Sequence, residues 1–189
     1  MTTTMGAIKR GWDRIQSAIT GRRSWQTLEY FDESWKRRIE EMASYVDSGE
    51  SVIDLGCGKM WLRSFLKGNI YHGVDYTQRD PNTIVADFNR YQYPDIEADV
   101  AFISGALEYV EDYDWFIHQV STHSRKCIVS YCTTEQFPAV RMRRQKAWKN
   151  HLSRSALLEV FEKNEMRLDR ESTAIAQNPI FIFSKRESW

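Results

Sequence analysis

The first 49 residues place apolar side chains at helical spacing, in two successive stripes. Each stripe predicts one helix, and the second ends before Ser48-Gly49. The apolar positions are Ile8, Trp12, Ile15 and Ile19, and then Phe31, Trp35, Ile39, Met42, Ala43 and Val46. We interpret residues 1–49 as a helical extension that packs on a core or closes over a site as a lid. Its first helix, which is basic, could also meet a membrane surface or a partner.

From Ser51 onwards the pattern changes to short, nearly continuous apolar runs separated by polar segments. The runs read SVIDL, IYHGVD, TIVAD, DVAFIS and KCIVSYC, and two final strands are predicted near Arg167–Ala174 and Pro179–Ser184. Helices are predicted around residues 60–67, 112–123 and 154–165. This alternation of strands and helices predicts an open, doubly wound α/β sheet as the core, over residues 50–189.

Composition and charge exclude several classes of protein. The 189 residues suit one domain, and 26 lysines and arginines balance 26 aspartates and glutamates, so no overall field attracts nucleic acid or a membrane. The three cysteines, Cys57, Cys127 and Cys132, are an odd number, and two lie in an apolar run, which indicates reduced thiols. Because no apolar stretch is long enough for a secretory signal or a membrane span, we expect a cytoplasmic protein without a transmembrane segment.

Local charge is strongly biased in two segments. Between Gln136 and Leu158 there is no acidic residue, and the basic residues are Arg141, Arg143, Arg144, Lys146, Lys149 and Arg154. This segment either binds an anionic small molecule or forms a solvated basic helix. Residues 91–117, by contrast, contain seven acidic residues and no lysine or arginine, which makes a nucleic-acid partner unlikely.

A glycine turn follows the first predicted strand, in the string Val52-Ile-Asp-Leu-Gly-Cys-Gly58. Such a turn at the carboxyl end of a central strand is where open α/β sheets bind ligands. A dinucleotide fingerprint requires a third glycine at position 61, where Trp61 stands. Asp75, nineteen residues after Gly56, ends the second strand, where a carboxylate can accept hydrogen bonds from ribose hydroxyls. We therefore expect a nucleoside-containing ligand smaller than a dinucleotide.

Two later strands end in further polar groups. The third runs into Asp87-Phe88, and the fourth into Ser104-Gly105 and a Leu-Glu-Tyr-Val segment. In this order, the motifs resemble those of the class I S-adenosylmethionine-dependent methyltransferases over about residues 51–185. The fold class expected is α/β: a Rossmann-like, mostly parallel sheet of about seven strands, the last antiparallel, preceded by N-terminal helices.

The resemblance implies roles for the glycine turn. Gly56 and Gly58 would pass under the methionyl part of S-adenosylmethionine, and Asp54 would help to organise the turn. The family usually has another glycine at the position of Met60. We therefore expect either a wider turn or a methionine pocket of different shape.

The resemblance also assigns the remaining cofactor contacts. Asp75 would bind the ribose, Asp87 the adenine amino group and Phe88 the edge of the adenine ring. Ser104 and Gly105 would lie beside the sulfonium and the methionine end.

Candidate residues for the acceptor are fewer. His151, which follows the fifth strand, is a candidate general base, although a capping or surface histidine is an open alternative. Tyr109 stands where relatives often carry a histidine and could orient a substrate hydroxyl or only pack. Arg143, Arg144 and Trp148 are candidate acceptor-binding residues. The four histidines are not spaced as ligands, so no metal is expected.

The sequence thus predicts a methyltransferase that uses S-adenosylmethionine to methylate oxygen or nitrogen of a small polar biosynthetic metabolite. A sugar-containing or anionic acceptor is favoured. An RNA or protein methyltransferase and a catalytically silent cofactor-binding scaffold are the alternatives, and the oligomeric state is left open.

Overall fold

The computed structural model describes residues 25–186, which form a seven-stranded sheet with helices on both faces. The helices are α1 (Trp25–Leu28), α2 (Trp35–Ala43), α3 (Tyr113–His123), α4 (Val140–Gln145) and α5 (Arg154–Lys163). The strands are β1 (Ser51–Leu55), β2 (Ile70–Asp75), β3 (Ile84–Val85), β4 (Ala98–Ser104), β5 (Ser124–Ser130), β6 (Met166–Ser172) and β7 (Ile180–Lys185).

The strand order is β3-β2-β1-β4-β5-β7-β6. Neighbouring strands from β3 to β5 run parallel, whereas β7 lies antiparallel to both β5 and β6. The order of the strands reverses at β1, since β2 and β3 lie on one side of it and β4 and β5 on the other. Because β1, β2 and β4 are parallel, their carboxyl ends lie at the same edge of the sheet. The predicted fold class, with its antiparallel last strand, is confirmed.

The core lies on both faces of the sheet because the central strands are buried on both sides. Along β4, Val100 and Phe102 belong to one apolar cluster, while Ala101 and Ile103 belong to the other. The first cluster includes residues of α2 such as Met42, and the second includes residues of α3 and α5. The alternation follows from the two-residue period of a strand.

The prediction of a helix around residues 60–67 is wrong. Only a short 3-10 turn, Trp61–Ser64, lies between β1 and β2, and its Leu62 packs in the same cluster as Met42 of α2. The amino-terminal helix α2 thus covers the face that a crossover helix would otherwise cover. The strand predicted at TIVAD is likewise reduced to the two residues of β3.

The amino-terminal prediction is met in part. The second stripe forms a helix that begins at Trp35, after a turn in which Asp32 Oδ1 accepts the N–H of Ser34. The helix predicted from Ile8 to Ile19 lies outside the described residues.

Candidate active site

A cavity of about 740 Å³ opens at the carboxyl edge of the parallel strands. Its size is that of a site for a small molecule. It is lined by all the predicted cofactor-binding residues and by two of the predicted acceptor residues: Asp54, Gly56, Gly58, Asp75, Asp87, Phe88, Ser104, Gly105, Tyr109 and Trp148. Residues separated by almost a hundred positions in sequence therefore face one space.

The glycine turn has a backbone that side chains would disturb. Gly56 has φ +86°, and a Cβ atom there would lie 2.5 Å from Cβ of Ala106. The N–H groups of Gly56 and Cys57 both donate to the carbonyl oxygen of Val74 at 2.9 Å. The turn is therefore anchored to β2 and approached closely by the segment after β4.

Met60 has a backbone conformation that usually favours glycine. Its φ is +56°, in the left-handed region, and its N–H donates to the carbonyl oxygen of Cys57 at 2.7 Å. The side chain lies against Gly73 and Thr83, so Met60 is not one of the residues that line the cavity. The turn therefore remains compact, and the methionine does not reshape the cavity wall directly.

Asp75 ties the glycine turn to the end of β2. Its Oδ2 accepts the N–H of Gly58 at 2.9 Å, and its Oδ1 accepts hydrogen bonds from Arg79 at 2.9 Å and from the N–H of Thr77 at 3.3 Å. Arg79 also pairs with Glu29, just after α1. The carboxylate predicted to bind ribose is thus already held in place, and the contribution of Arg79 could not be predicted from motif spacing.

Asp54 does not organise the turn in the way the sequence predicted. Among the described residues, its partner is the hydroxyl of Tyr71, which donates to Oδ2 at 2.8 Å. Burial, reinforced by the charge of Asp75, raises the pKa of Asp54 to about 7, although the hydrogen bond from Tyr71 opposes this rise. It is Asp75 that accepts a backbone N–H of the turn.

The segment after β3 brings to the cavity the acid and flat ring expected around an adenine. Asp87 caps the 3-10 turn Phe88–Arg90, where its Oδ1 accepts the N–H of Asn89 at 3.1 Å. The ring of Phe88 packs against Phe116 of α3 with ring centroids 4.7 Å apart. Capping and packing therefore hold both residues at the cavity wall.

Helix α2 brings an arginine that the sequence analysis missed. Arg38 is buried, its Nε donates to Oγ of Ser104 at 3.2 Å, and its Nη2 would lie 2.9 Å from a Cβ atom at Gly105. Burial lowers the pKa of its guanidinium. The glycine at position 105 thus leaves room for a cation at the predicted methionine end.

The amino-terminal segment also supplies an aromatic wall. Trp25 packs on Tyr109 with centroids 4.8 Å apart, and Cε1 of Phe31 would lie 2.5 Å from a Cβ atom at Gly58. Together with Trp35, these residues line the cavity. That residues 1–49 act as a lid over the site remains a prediction.

Arg143 and Arg144 require a correction, because neither lines the cavity. Arg143 is fully buried and donates to the carbonyl oxygens of Thr133 and Phe137 and to the hydroxyl of Tyr131, at 3.1–3.3 Å. Arg144 is exposed. The basic residues of this segment that do line the cavity are Lys146 and Lys149.

His151 is also placed outside the cavity lining. Its Nδ1 accepts a hydrogen bond from Nε of Arg143 at 3.2 Å, which leaves that nitrogen without a proton. Burial, followed by the charge of Arg143, lowers the pKa of the imidazole. The geometry therefore places His151 beside a buried arginine. It does not support His151 as a general base.

Neither a metal centre nor a membrane segment is found in the described part of the chain. Residues 25–186 contain no group of three or more potential metal ligands. No helix within the same range is both long and apolar enough to cross a membrane.

The sheet order and the site at its carboxyl edge define a Rossmann-like, ligand-binding α/β domain. A family model described as a methyltransferase domain matches residues 27–170. The chain therefore belongs to this methyltransferase family, which confirms the family and the enzyme class predicted from the motifs. No curated protein matches the chain.

Solved structures with the same fold include several methyltransferases. CalO1, a methyltransferase of calicheamicin biosynthesis bound to S-adenosylhomocysteine, is 14% identical with a TM-score of 0.65 and covers 86% of this chain, which spans only 56% of CalO1. A Burkholderia thailandensis 1,6-didemethyltoxoflavin N1-methyltransferase, solved with its acceptor and S-adenosylhomocysteine, is 15% identical with a TM-score of 0.64, over 99% of this chain and 91% of that one. A putative Haloferax volcanii methyltransferase, in complex with the activator Trm112, is 14% identical with a TM-score of 0.65, over 94% and 95% of the two chains.

Proposed function

We propose that this protein transfers a methyl group from S-adenosylmethionine to a small polar acceptor. The observation that carries the proposal is the meeting, in one cavity, of the glycine turn, the acid that ends β2 and the acid-aromatic pair after β3. Membership of the methyltransferase family supports it, and so do neighbours of the same fold that hold S-adenosylhomocysteine.

The chemistry of the lining residues fits this cofactor. A carboxylate has about four lone-pair sites, and Asp75 uses three of them for Gly58, Thr77 and Arg79. A ribose hydroxyl must therefore take the remaining site or share the carboxylate with Arg79. Asp87 offers an acceptor for an amino group beside the flat ring of Phe88.

When bound, the cofactor supplies an electrophilic methyl group. The chain's own part is to align the acceptor with that group and to exclude water, which can lower a barrier by several kcal/mol. Arg38 contacts Ser104 and approaches Gly105 at the end of β4, where the resemblance puts the sulfonium, so this is where we expect alignment to occur.

We place the acceptor on the side of the cavity formed by Tyr109, Trp148 and the segment after β5. Lys146 and Lys149 add positive charge there, although Lys149 pairs with Glu111 at 2.6 Å. Their charge supports an acceptor that carries a phosphate or a carboxylate, on a sugar or another small polar scaffold. The cavity volume of about 740 Å³ suits a small molecule, which is why we favour a small metabolite over RNA or protein.

Cofactor binding tests the proposal directly. We expect S-adenosylhomocysteine to bind and NAD not to bind, and replacing Asp75 with alanine should weaken the binding by roughly 1–3 kcal/mol through lost charge-assisted hydrogen bonds. Calorimetry measures both affinities, with Asp95→Ala, an exposed acid outside the cavity, as the control. NAD binding as tight as that of S-adenosylhomocysteine would refute the proposal, whereas radiolabel transferred to RNA or protein instead of a metabolite extract would correct the acceptor class.

Lys146 and Lys149 should contribute to acceptor binding. Replacing both with alanine should raise the KM for an anionic acceptor roughly tenfold, because the acceptor loses binding energy that is the same in the ground state and the transition state. The affinity for S-adenosylhomocysteine should stay within twofold, because we expect the lysines to contact only the acceptor. The matched control removes two exposed charges of the same segment outside the cavity lining, in Arg141→Ala/Arg144→Ala. A larger KM change in that control than in the lysine variant would show that the exposed arginines, and not the two lysines, bind the acceptor.

A further inference from the structure

Glu108 is the buried acid of the Leu-Glu-Tyr-Val segment, and the resemblance assigns it no role. It lies in the 3-10 turn Leu107–Tyr109 directly after β4, and it is 1% exposed. Its Oε1 accepts the N–H of Cys132 at 2.9 Å, and its backbone carbonyl accepts the N–H of Lys149 at 2.7 Å. The first contact holds the side chain beside the segment that follows β5, and the second ties the backbone of the turn to the segment before α5.

The second carboxyl oxygen of Glu108 has no partner in the described part of the chain. Within residues 25–186, Oε2 is buried and makes no hydrogen bond. Leaving such an atom unpaired costs about 1–3 kcal/mol, and more if the carboxyl is charged. Since Glu108 lines the cavity, a bound molecule can supply the missing hydrogen bond.

The surroundings favour a group that exchanges a proton. The titratable and charged groups that act on Glu108 come from α2, α4 and the ends of β4 and β5, and they are Arg38, Tyr109, Tyr131, Cys132 and Arg143. Burial raises the pKa of the Glu108 carboxyl, and the two arginines oppose that rise. A carboxylate with a raised pKa takes up a proton more readily near neutral pH.

We propose that Oε2 of Glu108 accepts a hydrogen bond from an O–H or N–H donor of the methyl acceptor and receives its proton during methyl transfer. This deepens the proposed function and rests on it. The acceptor's lone pair forms the new bond to the methyl carbon, the carbon–sulfur bond breaks with its electron pair left on sulfur, and the acceptor's proton goes to Oε2. The substrate class is thereby narrowed to acceptors that carry such a donor, which excludes tertiary amines and thioethers.

The first test follows the carboxyl itself and needs no acceptor. The infrared carbonyl band of the protonated Glu108 carboxyl is identified as the band that the Glu108→Gln variant lacks. In the protein bound to S-adenosylhomocysteine, this band should disappear as the pH is raised from about 5 to about 9, because a base that works near neutral pH must lose its proton in that range. Asp54→Asn separates this band from that of Asp54, another buried acid with a raised pKa. A Glu108 carboxyl that stays protonated across this range cannot accept the proton, and the proposal then fails.

The second test uses the small-molecule metabolite extract and radiolabelled S-adenosylmethionine. Glu108→Gln should slow label transfer roughly 10²–10⁴-fold and alter its pH dependence, with S-adenosylhomocysteine affinity within twofold. Glu108→Asp should recover part of the rate, and Glu97→Gln, an exposed acid away from the cavity, should match the wild type. A Glu108→Gln variant with a near-normal rate and pH profile overturns the role of Glu108 alone, whereas a wild type that neither binds S-adenosylhomocysteine nor transfers label overturns the proposed function and this inference with it.

Discussion

Replacing Arg143 with alanine should lower the free energy of unfolding by about 3–5 kcal/mol, because the change removes a fully buried cation and leaves its hydrogen-bond partners buried. The carbonyl oxygens of Thr133 and Phe137 and the hydroxyl of Tyr131 would each lose a donor. The guanidinium carbon also lies 4.7 Å from the ring centroid of Trp148, so the cavity wall would lose its support.

Urea unfolding measures this loss, and Arg144→Ala is the matched control. Arg144 follows Arg143 in the same helix and is exposed, so its removal should change stability by no more than about 0.5 kcal/mol. If the two variants lost equal stability, Arg143 would not be the structural residue that its contacts indicate.

Replacing Gly56 with alanine should lower the free energy of unfolding by about 2–4 kcal/mol and weaken S-adenosylhomocysteine binding at least tenfold. Two costs combine. The left-handed backbone at φ +86° is strained for any residue with a Cβ atom, which costs about 1–2 kcal/mol. The new Cβ atom would also lie 2.5 Å from Cβ of Ala106, which is attached directly to the backbone and cannot rotate away.

Gly49→Ala separates these two costs. Gly49 has φ +85°, almost the same as Gly56, but a Cβ atom there would meet nothing within 4 Å. The control should lose only the backbone cost, with cofactor affinity unchanged. Equal losses of stability and affinity in the two variants would show that the approach of Ala106 to the turn has no energetic importance.

The acidic residues show where motif reasoning succeeds and where it does not. Asp75 and Asp87 were predicted from their positions at strand ends, and the strands bring both to the cavity. Spacing could not show that Asp75 would hold Gly58 while Asp54 would pair with Tyr71. A hydrogen-bond partner depends on distances of about 3 Å, which only the packed chain sets.

The basic segment after β5 shows the same limit in another way. The segment contains a short helix that ends at Gln145. Charge alone cannot show which basic residue is buried, as Arg143 is, and which lines the cavity, as Lys146 does. Arg38 was missed because it lies in the predicted amino-terminal extension, more than sixty positions before Ser104.

The sequence by itself determined the order of the strands along the chain, the glycine turn and the acids at the strand ends. These features depend on local periodicity and on backbone conformations that few residues accept. Tertiary structure alone decided which charged groups became buried: Arg143 as a support, Arg38 beside Ser104, and Glu108 with an oxygen that is unpaired among residues 25–186. The physical reason is that the role of a charge depends on its desolvation and its partners, and both arise only when distant segments pack together.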